Sequence, residues 1–355
     1  MTNADDCDLF ELTAECGCAA KIPAGQLACV LAELELPEDP AVLVGLKTLD
    51  DAGIYALDEE RCLVQTIDFF PPVARDPYTY GQIAAANALS DIYAMGGRPL
   101  TALAIVCFPA RKLPFAVLGA ITRGAVDKLG EAGCALLGGH SVVDPQPKFG
   151  LAVTGVVARG AIMDNAHARP GDLLILTKPL GTGLTIMAIR ARLATGPQEA
   201  AVNRSMAALN KEAARLAALH GVRAATDITG FGLLGHALQL AQASEVALEL
   251  WVGALPRHDG VRGFAELGLL SAAVYSNRAY VGDAVGFAEG VALADQDLCF
   301  DPQTSGGLLL ACPAEHADAL LAALGGVAAG AAVIGRVLPQ DRAPRLRVLT
   351  APCSP

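Results

Sequence analysis

Four aspartates, Asp51, Asp68, Asp91 and Asp227, stand where apolar runs are expected to end as strands or helices. Ionised carboxylates are costly to bury unpaired, so several of them within core sequence imply cations nearby. Oxygen-only ligation suits Mg²⁺, which keeps waters and binds through carboxylates together with substrate phosphates. The chain has no HExxH and no paired CxxC with zinc spacing. Cys16, Cys18 and Lys21, in C-G-C-A-A-K, form a second constellation. An ammonium beside a thiol lowers its pKa and makes a better nucleophile or soft ligand. Two idle cysteines near a surface lysine would read the same way. Lys21 could also neutralise phosphate charge.

Glycine-rich segments could handle a phosphate. Gly138-Gly139-His140-Ser141 follows an apolar strand and can present backbone N–H groups to an anion, or serve only as a tight turn. His140 could contact phosphate there, whereas His236, early in a helix, reads as structural. Asp227 opens a second such turn, ending at Gly232, and residues 301–307 (DPQTSGG) form a third between apolar strands. GxxxxGK[ST] and GxGxxG are both absent, so a nucleotide enzyme would need another way of holding phosphates.

These residues need elements to hold them. An apolar run over 62–67 predicts a buried strand ending on Asp68. Asp76-Pro77 then starts a helix, by capping and by proline at the first position, that runs to about Met95 and stops at Gly96-Gly97. Ala84, Ala85, Ala86, Ala88 and Ala94 let neighbours approach this helix closely, and Asn87 and Asp91, four apart, share a face. A helix is expected over 23–34, a short strand at 42–45, and an Asp50-Asp51 pair that alone would be a turn. Residues 100–108 and 148–157 read as strands, and 114–132 as a helix. After a boundary at 165–170, a second α/β unit begins with a strand at 171–178 and a helix opened by Pro179 to Gly183. Helices follow at 199–220 and 233–243.

At 355 residues the chain is long enough for two domains with separate cores. Thirty-seven glycines, 53% hydrophobic and 5% aromatic residues suit tightly packed α/β layers. A net charge of −11 argues against a nucleic-acid surface or a polybasic membrane anchor. The apolar run 319–335 is short for a membrane span and broken by glycines, and reads as a helix turning into a strand. The acidic start lacks an apolar leader-like region, and ten scattered cysteines do not resemble a disulfide framework. A cytoplasmic protein is expected.

CGCAAKI, TLDDAGIY, TIDFFPPVARDPYTYGQIAAANALSDIYAMGGRP, GGHSVVDPQPKFGLAVTG, PGDLLILTKPLGTG, ATDITGFGLLGHA and FDPQTSGGLL together resemble the selenophosphate synthetases (selenide, water dikinases). The resemblance runs in order over nearly the whole chain. It implies an α/β (α+β) protein of the two-domain aminoimidazole ribonucleotide synthetase-like fold, with mixed sheets flanked by helices. The expected divisions are a flexible N-terminal catalytic segment at 1–45, an ATP/Mg-binding and dimerisation domain at 46–160, and a C-terminal domain at 165–350. It further implies conversion of ATP, selenide and water to selenophosphate, phosphate and AMP, by a homodimer joined through its N-terminal domains. Carried over by position, Asp51, Asp91 and Asp227 become magnesium ligands. Thr48, Leu49, Asp50, Asp68, Asp91, Gly139, His140 and Ser141 become ATP contacts, and Lys21 the catalytic, ATP-contacting lysine.

One departure affects the reactive cysteine. The family's C-G-C-K places it three residues before the lysine. Here C-A-A-K keeps that spacing for Cys18, while Cys16 lies five before and Ala20 replaces the second cysteine. Cys18 is therefore the expected reactive residue. A synthetase or thiamine-phosphate kinase of the same superfamily would share the aspartates but lack the C-x-x-K head. A selenium or metal carrier without nucleotide chemistry would not need the full aspartate set.

Overall fold

Two sheets organise the protein, and the alanine-rich helix lies between them. The computed structural model describes residues 8–13, 15–22, 26, 30, 38–46, 48–328, 330–341 and 343–352. The first half runs β1 (Val42–Val44), β2 (Gly53–Ala56), β3 (Arg61–Phe70), α1 (Pro77–Ala94), β4 (Arg98–Phe108), α2 (Phe115–Ala132), β5 (Ala135–Val143) and β6 (Lys148–Ala158). Its strands form a six-stranded sheet in the order β1-β2-β3-β6-β4-β5. Only β4 and β5 pair in parallel, as the crossover through α2 requires.

The second half runs β7 (Leu173–Leu176), α3 (Thr182–Arg190), α4 (Gly196–Ala207), α5 (Lys211–Leu219), β8 (Ala224–Asp227), α6 (Gly232–Ala243) and β9 (Val246–Trp251). It continues through α7 (Val261–Glu266), α8 (Ala272–Val281), β10 (Val285–Phe287), α9 (Leu293–Phe300), β11 (Leu308–Cys312), α10 (Ala314–Leu324), β12 (Ala332–Pro339) and β13 (Leu346–Leu349). These strands make a seven-stranded mixed sheet, β10-β13-β9-β12-β7-β11-β8. The apolar run at 319–335 divides between α10 and β12, and among the described residues no helix is long and apolar enough to cross a membrane.

α1 starts as its sequence dictates: Asp76 accepts the Thr79 N–H at 2.7 Å, and Pro77 occupies the first turn. Fifteen of its 18 residues are buried, so it has no solvent face. β3, β6 and α2 pack on it from the first half, and α4, α5 and β8 from the second. Its alanines make that close approach possible. Its buried polar side chains, Asn87, Ser90 and Asp91, consequently have to find partners inside the protein.

Three segments differ from their sequence-based expectation. Gly138 to Ser141 does not turn: it continues as β5 along the sheet edge. Alternating hydrogen bonds to β4 hold it extended, and a Cβ on Gly139 would meet the Ala104 carbonyl oxygen at 2.2 Å, so the glycine serves close strand approach. The single helix expected over 199–220 is two, because the buried Lys178 ammonium takes the Ala208 carbonyl at 2.7 Å and the Asn210 amide is drawn inward to Ser90 and Gly306. Residues 301–307 follow a helix, α9, instead of a strand. The helix expected over 23–34 lies, apart from Gln26 and Val30, outside the described residues.

Candidate active site

The strand-end aspartates converge around the C-terminal half of α1. Alternation along β3 turns Thr66 and Asp68 toward α1, and a helical period places Asn87, Ser90 and Asp91 opposite them. Asp91 accepts from Thr66 Oγ1. Asp227 ends β8, where the nearby Ser90 hydroxyl favours its charged form. Asp51 arrives on the loop before β2, where its carboxylate accepts from Thr226 Oγ1 at 2.9 Å and from the Asp227 N–H at 3.3 Å. Both halves of the chain thus contribute acids to one cluster.

Its electrostatics call for a cation. Burial, and then the Asp227 carboxylate, raise Asp51 above the usual carboxylate range. Burial raises Asp91 likewise, with Asp227, Asp68 and Asp51 adding to it. Asp227 is pushed up to about 6, burial again leading. One Asp227 oxygen, Oδ2, is buried with no hydrogen-bond partner among the described residues. An orphaned carboxylate oxygen among mutually repelling acids, with hydroxyls as the other donors, fits a hard cation such as Mg²⁺. Among the described residues, no three ligand side chains stand close enough to hold one ion unaided. That suits a metal whose remaining ligands are waters and substrate oxygens.

Lys21 and Cys18 meet this cluster from the N-terminal segment. Lys21 Nζ lies 3.0 Å from Asp68 Oδ2. Burial is the largest single effect and works against its charge, but Asp68, Cys18 and Asp91 together override it and lift the pKa above the lysine range. Cys18 is 1% exposed. Its N–H donates to Thr304 Oγ1 at 3.1 Å and its Sγ to Asn87 Oδ1 at 3.4 Å. Gly17 permits this seat: it adopts φ +53°, and a Cβ there would meet Thr304 Oγ1 at 2.3 Å. Burial drives the Cys18 pKa up, against Lys21 and with Asp68 and Asp227. The seated thiol is therefore protonated, and Lys21 spends its charge on Asp68. The spacing argument, which anticipated a thiolate, took no account of burial or of that competing carboxylate. A cleft of about 700 Å³, lined by Lys21, Asp68, Phe69, Lys148 and Phe231, opens beside the ion pair. The other three aspartates do not line it.

The remaining sequence candidates divide. Asp50 accepts from Thr48 Oγ1 and from the Asn165 N–H at 2.7 Å, and the Leu49 carbonyl accepts from Asn165 Nδ2 at 3.3 Å. These three residues therefore tie the loop before β2 to the link between the two sheets. Gly139, His140 and Ser141 are not brought to the aspartates. Gly139 shares a row with Asp68 through Ala104 and Leu151, but three strands away, about 14 Å at ordinary spacing. His236 is structural, its Nε2 accepting the Thr229 N–H at 3.1 Å.

Sequence reasoning singled out Asn87 by its spacing to Asp91 without giving it a role, and it missed the other groups that connect the parts. Asn87 is a hub: its Oδ1 accepts from Cys18 Sγ and from the Ser305 N–H at 2.9 Å, and its Nδ2 donates to Asp68. Lys178 fixes the same turn by donating to the Ser305 carbonyl at 2.9 Å, and burial lowers its pKa to about 7. The i, i+3, i+4 spacing of Asn87, Ser90 and Asp91 on an alanine helix was a usable signal; nothing local marked Lys178.

Comparison with known proteins identifies the family of both halves of the chain. The family model for the N-terminal domain of AIR synthase related proteins matches residues 49–157, and that for the C-terminal domain matches 169–344. Selenide, water dikinase of Pelobacter propionicus is 47% identical over 91% of this chain and 93% of its own length. Selenide, water dikinase 2 of Peptoclostridium acidaminophilum is 43% identical over 96% and 98%. Among solved structures, thiamine monophosphate kinase from Aquifex aeolicus superposes with a TM-score of 0.64 at 18% identity, covering 93% of this chain and 98% of that one. HypE from E. coli, a hydrogenase maturation protein, gives 0.63 at 21%, covering 87% and 89%. The last two share the fold; the first two, at their identity and coverage, show that this chain belongs to the selenide, water dikinase family.

Proposed function

We propose that the protein makes selenophosphate from selenide and ATP, releasing AMP and phosphate, and that Lys21, Asp68, Cys18 and the Asp51–Asp91–Asp227 cluster form its active site. The observation that carries this is the link through Asn87: one amide touches both the reactive-position thiol and the carboxylate paired with Lys21. A soft group for selenium and a cationic group for phosphate are thereby held side by side.

The nucleotide occupies the cleft beside Lys21 and Asp68, whose volume lies in the range of small-molecule sites. Lys21 binds phosphate oxygens as a mobile point charge, exchanging part of its contact with Asp68. Asp51, Asp91 and Asp227 would hold Mg²⁺, which when bound neutralises phosphate charge and orients the transferring group. Cys18, buried against Thr304 and Asn87, holds the selenium nucleophile by non-covalent contact beside the phosphates, and its burial limits the water that would otherwise divert the first transfer. Asp50, Thr48 and Leu49 position the loop carrying Asp51 and border the nucleotide.

A homodimer is supported by what one copy leaves open. The outer face of the first sheet exposes Ile67, Phe69, Leu103 and Leu137, and every residue of β5 is exposed at its edge. A second copy laid on this face would cover those side chains and bring its own Gly139, His140 and Ser141 toward the nucleotide. Buried thiols at Cys16, Cys18, Cys62, Cys134, Cys299 and Cys312 support a reducing, cytoplasmic setting. The direct test is nucleotide analysis: selenide-dependent conversion of ATP to AMP is expected, and accumulation of ADP with selenide present would reject the reading.

A further inference from the structure

Cys16 has no part in the site assembled above, although it stands two residues before Cys18. It faces a separate cavity of about 340 Å³ between the N-terminal segment, α3 and the start of α8. Most of the wall is apolar, including Ile186, Met187 and Leu270, but polar groups gather on it. Cys16 is 7% exposed. Arg190, in the last turn of α3, donates from Nη1 to Cys16 Sγ at 3.2 Å and from Nη2 to the Thr13 carbonyl at 3.1 Å. Ser271 precedes α8 without capping it: its Oγ is buried and has no hydrogen-bond partner among the described residues. Ser271 and the first two residues of that 10-residue helix, Ala272 and Ala273, line the cavity. Burial lifts the Cys16 pKa against the pull of Arg190, so the sulfur is present as a neutral S–H.

A guanidinium, an unused hydroxyl, a helix N-terminus and a thiol in an apolar wall match one kind of ligand: a small, soft anion of single charge. Glu15, exposed, is the one acid in the lining. Thr304 separates this cavity from the reactive thiol, because it lines the cavity and accepts the Cys18 N–H. We infer that the cavity is an antechamber that holds hydrogen selenide as its monoanion before it reaches Cys18. This rests on the dikinase reading and adds to it an entry side and a recognition set: Arg190, Cys16 and Ser271.

Steady-state kinetics on the full-length protein, with hydrogen selenide varied at saturating Mg-ATP, tests it. In Arg190→Met the KM for selenide rises about tenfold, the scale of one charge-assisted contact, while kcat and the KM for ATP hold. Cys16→Ala and Ser271→Ala give smaller rises of the same kind, and Arg190→Lys recovers part of the loss. Hydrosulfide, used as a competing probe of the same charge and softness, loses inhibitory strength in step with those rises. If Arg190→Met does not fold, Cys16→Ala and Ser271→Ala decide alone, and an unchanged selenide KM in both overturns the inference. A wild-type protein that makes no selenophosphate overturns the dikinase reading instead. In that case protection of Cys16 from alkylation by hydrosulfide, read by mass spectrometry, still judges the cavity, and absence of protection rejects it.

Discussion

The aspartate cluster and the β5 edge are two parts of one sequence pattern with opposite fates in a single copy. Asp51, Asp68, Asp91 and Asp227 come from distant stretches and are drawn together because α1 is buried on all sides. Gly139, His140 and Ser141 lie in the same sheet as Asp68, Gly139 in its very row, and remain exposed three strands away. Burial on a helix between two sheets completes a site within one chain. In the homodimer we propose, placement on an unpaired edge leaves residues for the second chain to use. The acids should thus act in cis and the β5 residues in trans.

The largest effect is expected where the cis half of that contrast is broken. Asp51→Asn and Asp227→Asn keep the side-chain size but remove the charge proposed to hold the cation, and AMP formation should fall by on the order of a hundredfold or more. Circular dichroism confirms folding; parental rates at low magnesium would remove these residues from the metal site. Cys18→Ser comes next. Oxygen is not soft, so selenophosphate yield should collapse while equilibrium Mg-ATP binding is retained. Should Cys16→Ser be dead and Cys18→Ser active, the C-x-x-K register would be misassigned.

How far the sequence told this story differs between the same two regions. The aspartates, the helix from Pro77 and the thiol–lysine spacing were legible because each is a local signal: a strand end, a cap, a fixed offset. The burial of Cys18 was not, since it depends on Thr304 and Asn87, far along the chain. Gly138 to Ser141 misled for a related reason. Paired glycines signal a turn locally, but Gly139 serves the close approach of β5 to β4, a tertiary demand. Lys178 carried no local mark at all, and it splits the helix expected over 199–220.

The trans half is sharpened by mixing. His140→Ala alone should weaken nucleotide binding several-fold, and Asp227→Asn alone should be inactive. In a mixed dimer one site carries both defects and the other neither. At ATP well below KM, where the His140→Ala sites contribute little, random exchange makes about a quarter of all sites wild type and should raise activity to roughly that fraction. No recovery on mixing, with dimers confirmed by light scattering, would return His140 to its own chain or remove it from the site.

The smallest effect concerns stability without metal. Asp227 titrates near 6 when folded, above the ordinary carboxylate value near 4. An acid raised on folding favours the folded state fully below its unfolded pKa, and that contribution is lost as pH rises through about 6. Metal-free protein should therefore melt a few degrees lower at pH 7 than at pH 5, and Asp227→Asn should flatten that slope. A slope unchanged in the variant would show that the strain lies elsewhere.

One measurement bears most directly on the proposal that this cluster and Cys18 perform dikinase chemistry. Phosphorus NMR of a reaction with Mg-ATP and selenium-77 selenide should show a selenium-coupled phosphorus resonance appearing together with AMP and phosphate in equal amounts. ADP as the final nucleotide, with no coupled resonance, would contradict it.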